Sequence, residues 1–396
     1  MLKIQKKDGS IEAFSSQKIV SAIRKSANRA MYDLSDEQCR RVVDLTLAHL
    51  AEHGGDVAPV ANVHNAVERA LDDVAPDVAK CYRDYRNYKQ DFVHMLDDVY
   101  RKSQAIRYIG DRNNANTDSA LVPTQRSLIY NELSSALYKK FFLNREEREA
   151  MKDGYIYIHD RSARLDTMNC CLFDMENVLT GGFEMGNVWY NEPKTLDVAF
   201  DVISDVAISA AACQYGGFTI PEVDKILALY AEKSYQKYFE EYTEIAVYNN
   251  LGDHEDVLTA ADEYAVKKVQ RDMEQGFQSW EYRFNTVGSS RGDYPFIAVS
   301  FGLDNSRFGR MASMTCMNVR AGGQGAAGHK KPVLFPKLTF LYDEQLHGEG
   351  KPMEDVFECG VDCSTKAMYP DFLSLTGEGY IPSMYKKYGR VVSLMG

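Results

Sequence analysis

The chain has 396 residues, 45% of them hydrophobic, with eight cysteines and a formal charge of −11. That length supports a sizeable buried core and favours two domains over one, while the acidic balance argues against a binder of nucleic-acid polymers, which needs a basic face to release counterions. Apolar runs such as Val206 to Cys213 fall well short of the ~20 residues that span a bilayer, and the N-terminus turns polar at Lys3 before a secretory segment forms, so cytoplasmic residence without a membrane is the expectation.

In chain order, Ile4 and Gln5 precede an Asp8-Gly9 turn, and Ile11 and Phe14 resume the apolar pattern, which predicts a small hairpin. Ser15 or Ser16 caps a helix that places Ile19 and Ile23 on one face. A second helix opens at Ser35, carries Asp36 and Glu37 in its first turn and Val43, Leu47 and Leu50 as its stripe, and stops at Gly54-Gly55. Val60, Val63, Val67, Leu71 and Val74 form a third helix that Pro76 ends. A fourth runs through Val78, Tyr82, Tyr85 and Phe92 toward Tyr100.

After Arg107 the polar stretch Asp111 to Asp118 reads as a linker or functional loop, and the domain boundary is placed near residue 100. Beyond it, Tyr155 to Asp160 alternates as a strand ending in His159-Asp160. Helical patterns, Leu196 to Ala212 and Val223 to Tyr242, then alternate with strand-like runs, Ile297 to Phe301 and Val333 to Phe340. This is the pattern of an α/β domain around an enclosed sheet. Met353 to Ala367 reads as a helix carrying Val356 and Cys363 toward the core.

Several clusters could carry chemistry. Lys6, Lys7 and Lys18 gather ammonium groups around the Asp8-Gly9 turn and a helix start, which together with backbone N–H groups is what a triphosphate needs. Lys-Asp-Gly is also an ordinary hairpin turn. His159-Asp160 fits either a catalytic pair or a turn with satisfied side chains. Cys170 and Cys171 are adjacent, so on a strand at most one lines a given site, and both also fit as small buried hydrophobes. Neither this pair nor Cys359 and Cys363 has zinc-ribbon or CxxC spacing, so free thiols and no metal site are expected. Gly216-Gly217 permits positive φ or a close backbone approach. Ala321 to Gly328 carries too little side chain to pack, and is either a ligand-shaped loop or a plain connector.

The Lys6-Lys7-Asp8-Gly9 turn, the Lys18-Ile19 helix and the segment Val78-Ala79-Lys80-Cys81-Tyr82-Arg83-Asp84-Tyr85-Arg86 together resemble the ATP-cone. That resemblance implies that residues 1–92 form a mainly helical allosteric domain binding ATP or dATP, with Lys6, Lys7, Gly9, Lys18 and Arg86 as effector contacts and 93–110 as a linker helix. His159-Asp160, Asn169-Cys170-Cys171-Leu172, Gln214 to Pro221, Ser290 to Phe296, Lys330 to Lys337 and Tyr342 to Gly348 resemble, in order, the anaerobic class III ribonucleoside-triphosphate reductases. Residues 111–396 are then expected to form part of a ten-stranded β/α glycyl-radical barrel. By that resemblance Cys170 is the thiol on the 2'-hydroxyl face, with Cys171 as second choice, and His159, Asp160, Asn169 and Asn114 bind substrate.

The resemblance also implies anaerobic, radical reduction of ribonucleoside triphosphates with formate as reductant. The implied partners are a radical activase holding S-adenosylmethionine and an iron–sulfur cluster, and a second copy in a homodimer or higher oligomer. In that family a thiyl cysteine within M-G-C-R, a glycyl-radical domain and a four-cysteine zinc site follow; the present sequence ends in Ser393-Leu394-Met395-Gly396. The glycyl radical and zinc are therefore expected on a further C-terminal part, the chain alone is expected to be inactive, and a complementing chain is an expected partner if this is one piece of a split or intein-interrupted reductase. The alternative is a non-catalytic nucleotide-sensing fragment. Other glycyl-radical enzymes, such as formate acetyltransferases, fit less well because they carry no N-terminal ATP-cone.

Overall fold

The computed structural model describes residues 2–52, 55–108, 120–164, 168–286 and 292–389. The chain divides into two compact units, Met1–Arg101 and Lys102–Gly396.

In the first unit, β1 (Lys3–Gln5) and β2 (Ile11–Ala13) form the expected hairpin, with Ile4 opposite Glu12. Helix α1 (Ser16–Arg29) follows Ser15, whose side chain makes no capping bond, and α2 (Asp36–Ala51) opens with a full capping box between Ser35 and Gln38. Leu47, expected on the buried stripe of α2, is exposed; the face turns instead through Cys39, Val42, Val43, Thr46 and Leu50. Strand β3 (Val57–Pro59) was not anticipated and lies parallel to β1 at a sheet edge, the one place where Pro59 costs no ladder bond. Helices α3 (Val60–Val74) and α4 (Pro76–Tyr108) complete the set. Pro76 ends one helix and starts the next, since a proline at a first helical position loses no intrahelical bond. Ile19, Ile23, Val42, Val67, Leu71, Val78 and Tyr82 form the core between the four helices.

The second unit begins with α5 (Val122–Phe141) and α6 (Arg145–Lys152). The strand expected at Tyr155 to Asp160 is absent: the segment pairs with no strand among the described residues, and Tyr155 and Tyr157 are 84% and 81% exposed. Its first amides are used differently. Gly154 takes φ +83°, its N–H bonds Met151 O, and Tyr155 N–H bonds Ala150 O, so the segment closes the C-terminus of α6 in a Schellman arrangement. A single 3₁₀ turn, Arg161–Ala163, follows.

Next come β4 (Cys171–Leu172), α7 (Met175–Leu179), the hairpin of β5 (Phe183–Met185) and β6 (Val188–Tyr190), and α8 (Leu196–Ala212). Strand β7 (Phe218–Ile220) leads through α9 (Val223–Tyr248) and α10 (His254–Phe284) to β8 (Ile297–Phe301), and α11 (Arg307–Gly322) leads to β9 (Lys337–Tyr342). Then α12 (Glu344–His347), α13 (Glu354–Ala367), β10 (Asp371–Ser374) and α14 (Tyr380–Tyr388) finish the described fold. The sheet is parallel, in the order β10-β9-β8-β7-β4. Every residue of β7 and β8 is buried, as expected for strands covered by crossover helices on both faces.

The run expected as a strand from Val333 starts only at Lys337, because Asn285 Oδ1 takes the Leu334 and Phe335 amides that a ladder would need. The core joins α8, α9, α10 and the sheet around Phe200, Phe277, Trp280 and Phe284, with Trp280 Nε1–H donating to Phe200 O at 2.9 Å. Gly276 makes this packing geometrically feasible, since a Cβ there would lie 2.2 Å from the Phe200 ring.

Candidate functional site

The β1–β2 turn places the first group. Lys6 N–H bonds Ser10 O, Asp8 accepts from Ser10 N–H and O–H, and Gly9 takes φ +83°. Lys6 and Lys18 meet on one carboxylate: Glu12 lies 2.8 Å from Lys6 Nζ and 2.7 Å from Lys18 Nζ. The bond from Lys18, then that from Lys6, holds the Glu12 carboxyl below the usual range. Glu12 was not anticipated, because its alternation with Ile11 reads only as the exposed face of a short strand.

Arg86 donates from α4 to Asn65 Oδ1 at 2.8 Å and Glu68 Oε1 at 2.7 Å on α3. His64, also not anticipated, has Nδ1 2.7 Å from Tyr82 O–H. Burial holds the imidazole below its ordinary pKa; the charges of Arg86, Lys7 and Lys89 act the same way, against Glu68. Burial pushes the Tyr82 phenol up to about 12. Of the expected effector residues, Lys6 and Lys18 thus meet on Glu12, while Arg86 bonds Asn65 and Glu68 and, with Lys7, acts electrostatically on His64.

In the second unit, the structure brings His159, Asp160, Asn169 and Cys170 together at the edge of the sheet. Asp160 takes a left-handed conformation, φ +52°, tolerated by a short polar side chain. Its Oδ2 lies 2.5 Å from His159 Nδ1 and accepts from Asn169 Nδ2 at 3.2 Å. His159 is 75% exposed and Asp160 only 16%, so a covered carboxylate orients a solvent-facing imidazole. Asn169 and Cys170 lie just before β4 and are held by the strand start of β7: Gly216 N–H bonds Asn169 O at 2.5 Å, and Gly217 N–H approaches Cys170 Sγ at 3.3 Å.

Cys170 is exposed, whereas Cys171 enters the ladder through N–H to Gly217 O at 3.0 Å and packs against the core. Burial, then the neighbouring Cys170, pushes the Cys171 thiol up. Of the two roles that Gly216-Gly217 left open, close approach is the one observed; neither residue has positive φ. Asn114, and Ser290-Arg291 of the Ser290 to Phe296 motif, lie outside the described residues.

Residues of the other motifs make contacts within the second unit. His347 is buried, with Nε2 2.7 Å from Gly302 O and Nδ1 3.0 Å from Asp343 N, tying the end of β8 to α12. The glycine-rich loop after α11 closes through paired backbone bonds between Gln324 and Lys331, and Gln324 Nε2–H donates to Glu281 at 2.5 Å. Cys363 is buried on α13, and no helix among the described residues is long and apolar enough to cross a membrane.

Fold and site define a two-part chain: a small helical unit capped by a three-stranded sheet, and a larger parallel α/β unit with an ordered cysteine at its sheet edge. The chain belongs to the anaerobic ribonucleoside-triphosphate reductase family, whose model matches residues 113–396, and the ATP cone domain model matches residues 2–91. Anaerobic ribonucleoside-triphosphate reductases of Haemophilus influenzae and Escherichia coli K12 are each 30% identical, over 93% and 94% of this chain and 51% of their own length. The chain therefore spans about half the length of the curated relatives it matches. The Thermotoga maritima anaerobic ribonucleotide reductase, solved with dATP and CTP, is similar over 72% of this chain and 49% of its own, at 14% identity and a TM-score of 0.43.

Proposed function

We propose that this chain supplies the nucleotide-sensing module and a thiol-bearing part of the active site of an anaerobic reductase that converts ribonucleoside triphosphates to deoxyribonucleoside triphosphates. The observation that carries the reading is the hydrogen-bonded series His159–Asp160–Asn169 beside the exposed Cys170, on a chain of this family. His159 and Asn169 offer polar groups to ribose hydroxyls, and Asp160 fixes both. Cys170 holds a transferable hydrogen on sulfur at the 2'-hydroxyl face. A radical source generated by an activase supplies the first hydrogen abstraction, and formate is the proposed reductant; family membership is the support for both.

In the first unit, Lys6, Lys7, Lys18 and Arg86 are the proposed contacts to the phosphates of ATP or dATP, with Gly9 shaping the turn and His64 under the influence of the Lys7 and Arg86 charges. Calorimetric titration of the 396-residue chain with dATP and ATP tests the sensing half. Saturable binding weakened by Lys7→Ala with Lys18→Ala is expected, and unchanged affinity in that double variant overturns the assignment.

A further inference from the structure

The edge of the sheet contains an arrangement that explains how one of two adjacent cysteines is held for chemistry. A Cβ built on Gly216 would lie 2.6 Å from Asn169 O, 2.6 Å from Asn169 Oδ1 and 2.6 Å from Cys170 Sγ. No other residue leaves this space free, and φ is not the reason, because Gly216 lies outside the left-handed region. The glycine is required by what would meet its Cβ, and the three nearest of those atoms belong to Asn169 and Cys170 of the candidate site. Its own N–H holds Asn169 O, and Gly217 offers an N–H to the Cys170 sulfur on one side and its carbonyl to Cys171 N–H on the other.

We infer that Gly216 and Gly217 are positioning residues of the reductase site, seating Asn169 and the Cys170 sulfur while committing Cys171 to the ladder. The inference rests on the reading of Cys170 as the 2'-face thiol for its catalytic meaning, but its physical content is independent of turnover. With Sγ accepting the Gly217 N–H, the hydrogen on sulfur is directed away from the β7 backbone. The seat extends one step further, since Asn169 Nδ2 bonds Asp160, and Asp160 bonds His159. A methyl group at position 216 therefore displaces the whole series from its anchored end.

Alkylation of the 396-residue chain by iodoacetamide, followed by peptide mass mapping, reads the seat directly, with exposed Cys213 as internal reference. The rate of that reaction depends on how the sulfur is held and exposed. Gly216→Ala is expected to change the Cys170 alkylation rate severalfold, with that of Cys213 unchanged. Equal Cys170 rates in the folded variant and the wild type, or a parallel change at Cys213, overturn the inference.

A second measurement does not depend on that variant folding. Hydrogen exchange at the Gly217 amide is expected to accelerate in Cys170→Ala, and unchanged exchange overturns the inference as well. Either failure leaves nucleotide binding untouched. Conversely, absence of nucleotide binding with these results intact would remove the functional reading and leave the seat standing.

Discussion

Arg320 and Glu281 form an ion pair sealed from solvent, with Nε 2.7 Å from Oε1 and side chains 1% and 4% exposed. It joins the last turns of α10 and α11 and reaches two further groups: Arg320 Nη2–H donates to Pro336 O at 2.7 Å, and Glu281 Oε2 accepts from Gln324 at the base of the glycine-rich loop. Removing either partner leaves the other buried charge without its counter-charge, held only by a neutral hydrogen-bonding group.

Glu281→Ala is accordingly expected to destabilise the second unit by roughly 3–5 kcal/mol, and Arg320→Ala by a similar amount. Chemical denaturation followed by far-UV circular dichroism measures both. Losses below about 1 kcal/mol, the range of surface pairs, would show that water reaches the pair.

Asp224 predicts a pH dependence of stability. It is fully buried near the start of α9, where Oδ2 accepts from Gly302 N–H at 2.8 Å and Asp304 N–H at 3.2 Å, and Oδ1 has no hydrogen-bond partner among the described residues. Burial outweighs those bonds and pushes its pKa up to about 6, from 3.8. The folded state therefore binds the proton more readily than the unfolded state. Stability from this group is complete below about pH 4 and is lost as pH rises through about 6, an amount on the order of 3 kcal/mol. Asp224→Asn keeps an acceptor for the two amides and is expected to lose that slope. Parallel stability–pH curves for the variant and the wild type would falsify the assignment.

What the sequence disclosed depended on how much of each pattern was carried by large side chains. Leu196–Ala212 and Ile297–Phe301 were legible to the residue because Leu, Ile, Val and Phe marked them throughout. Helix α10 was not, although Val257, Ala261, Ala265, Val269, Met273, Phe277, Trp280 and Phe284 recur at helical spacing, since alanines weaken the stripe. Tyr155 to Ile158 alternates perfectly and forms no strand, because alternation becomes a strand only where a neighbour supplies the ladder. At the candidate sites, residues with motif neighbours such as Asn169 and Cys170 were legible. Glu12 and His64 were not, because each gains its meaning from partners brought in by folding, Lys6 and Lys18 for the first and Tyr82 and Arg86 for the second.

In the first unit, the proposed nucleotide site predicts both an affinity loss and a pH trend. Each charge-assisted phosphate contact contributes about 1–3 kcal/mol, so Lys7→Ala with Lys18→Ala should weaken dATP binding by about thirtyfold or more. A bound triphosphate also brings negative charge to His64, whose imidazole is held below its ordinary pKa by burial and by Arg86, Lys7 and Lys89. Opposite charge favours the imidazolium, so binding takes up a proton and affinity falls as pH rises through the histidine range. Calorimetry in buffers of different ionisation enthalpy measures that uptake, and His64→Gln should abolish it. Proton uptake of the same size in wild type and His64→Gln places the titrating group elsewhere.

The two adjacent cysteines give the sharpest distinction. Cys171 lies within β4, its N–H is spent on Gly217 O, its side chain packs on the core, and burial raises its thiol. Cys170 stands one residue earlier, exposed, with its sulfur facing the Gly217 amide and its neighbour Asn169 joined to Asp160 and His159. Because successive side chains on an extended strand point to opposite sides, only one of the two sulfurs can share the face of that polar series. In a turnover-competent reductase carrying this chain, Cys170→Ser is expected to abolish deoxynucleotide formation while nucleotide binding persists, because the O–H bond of serine is too strong to yield its hydrogen as a thiol does. Cys171→Ser is expected to retain turnover and to cost stability, since it places a hydroxyl against Phe218 and the core around it. Single-turnover product analysis with each variant separates the two. Full activity in Cys170→Ser together with a dead Cys171→Ser would move the reacting sulfur to the other face of the strand, and with it the substrate.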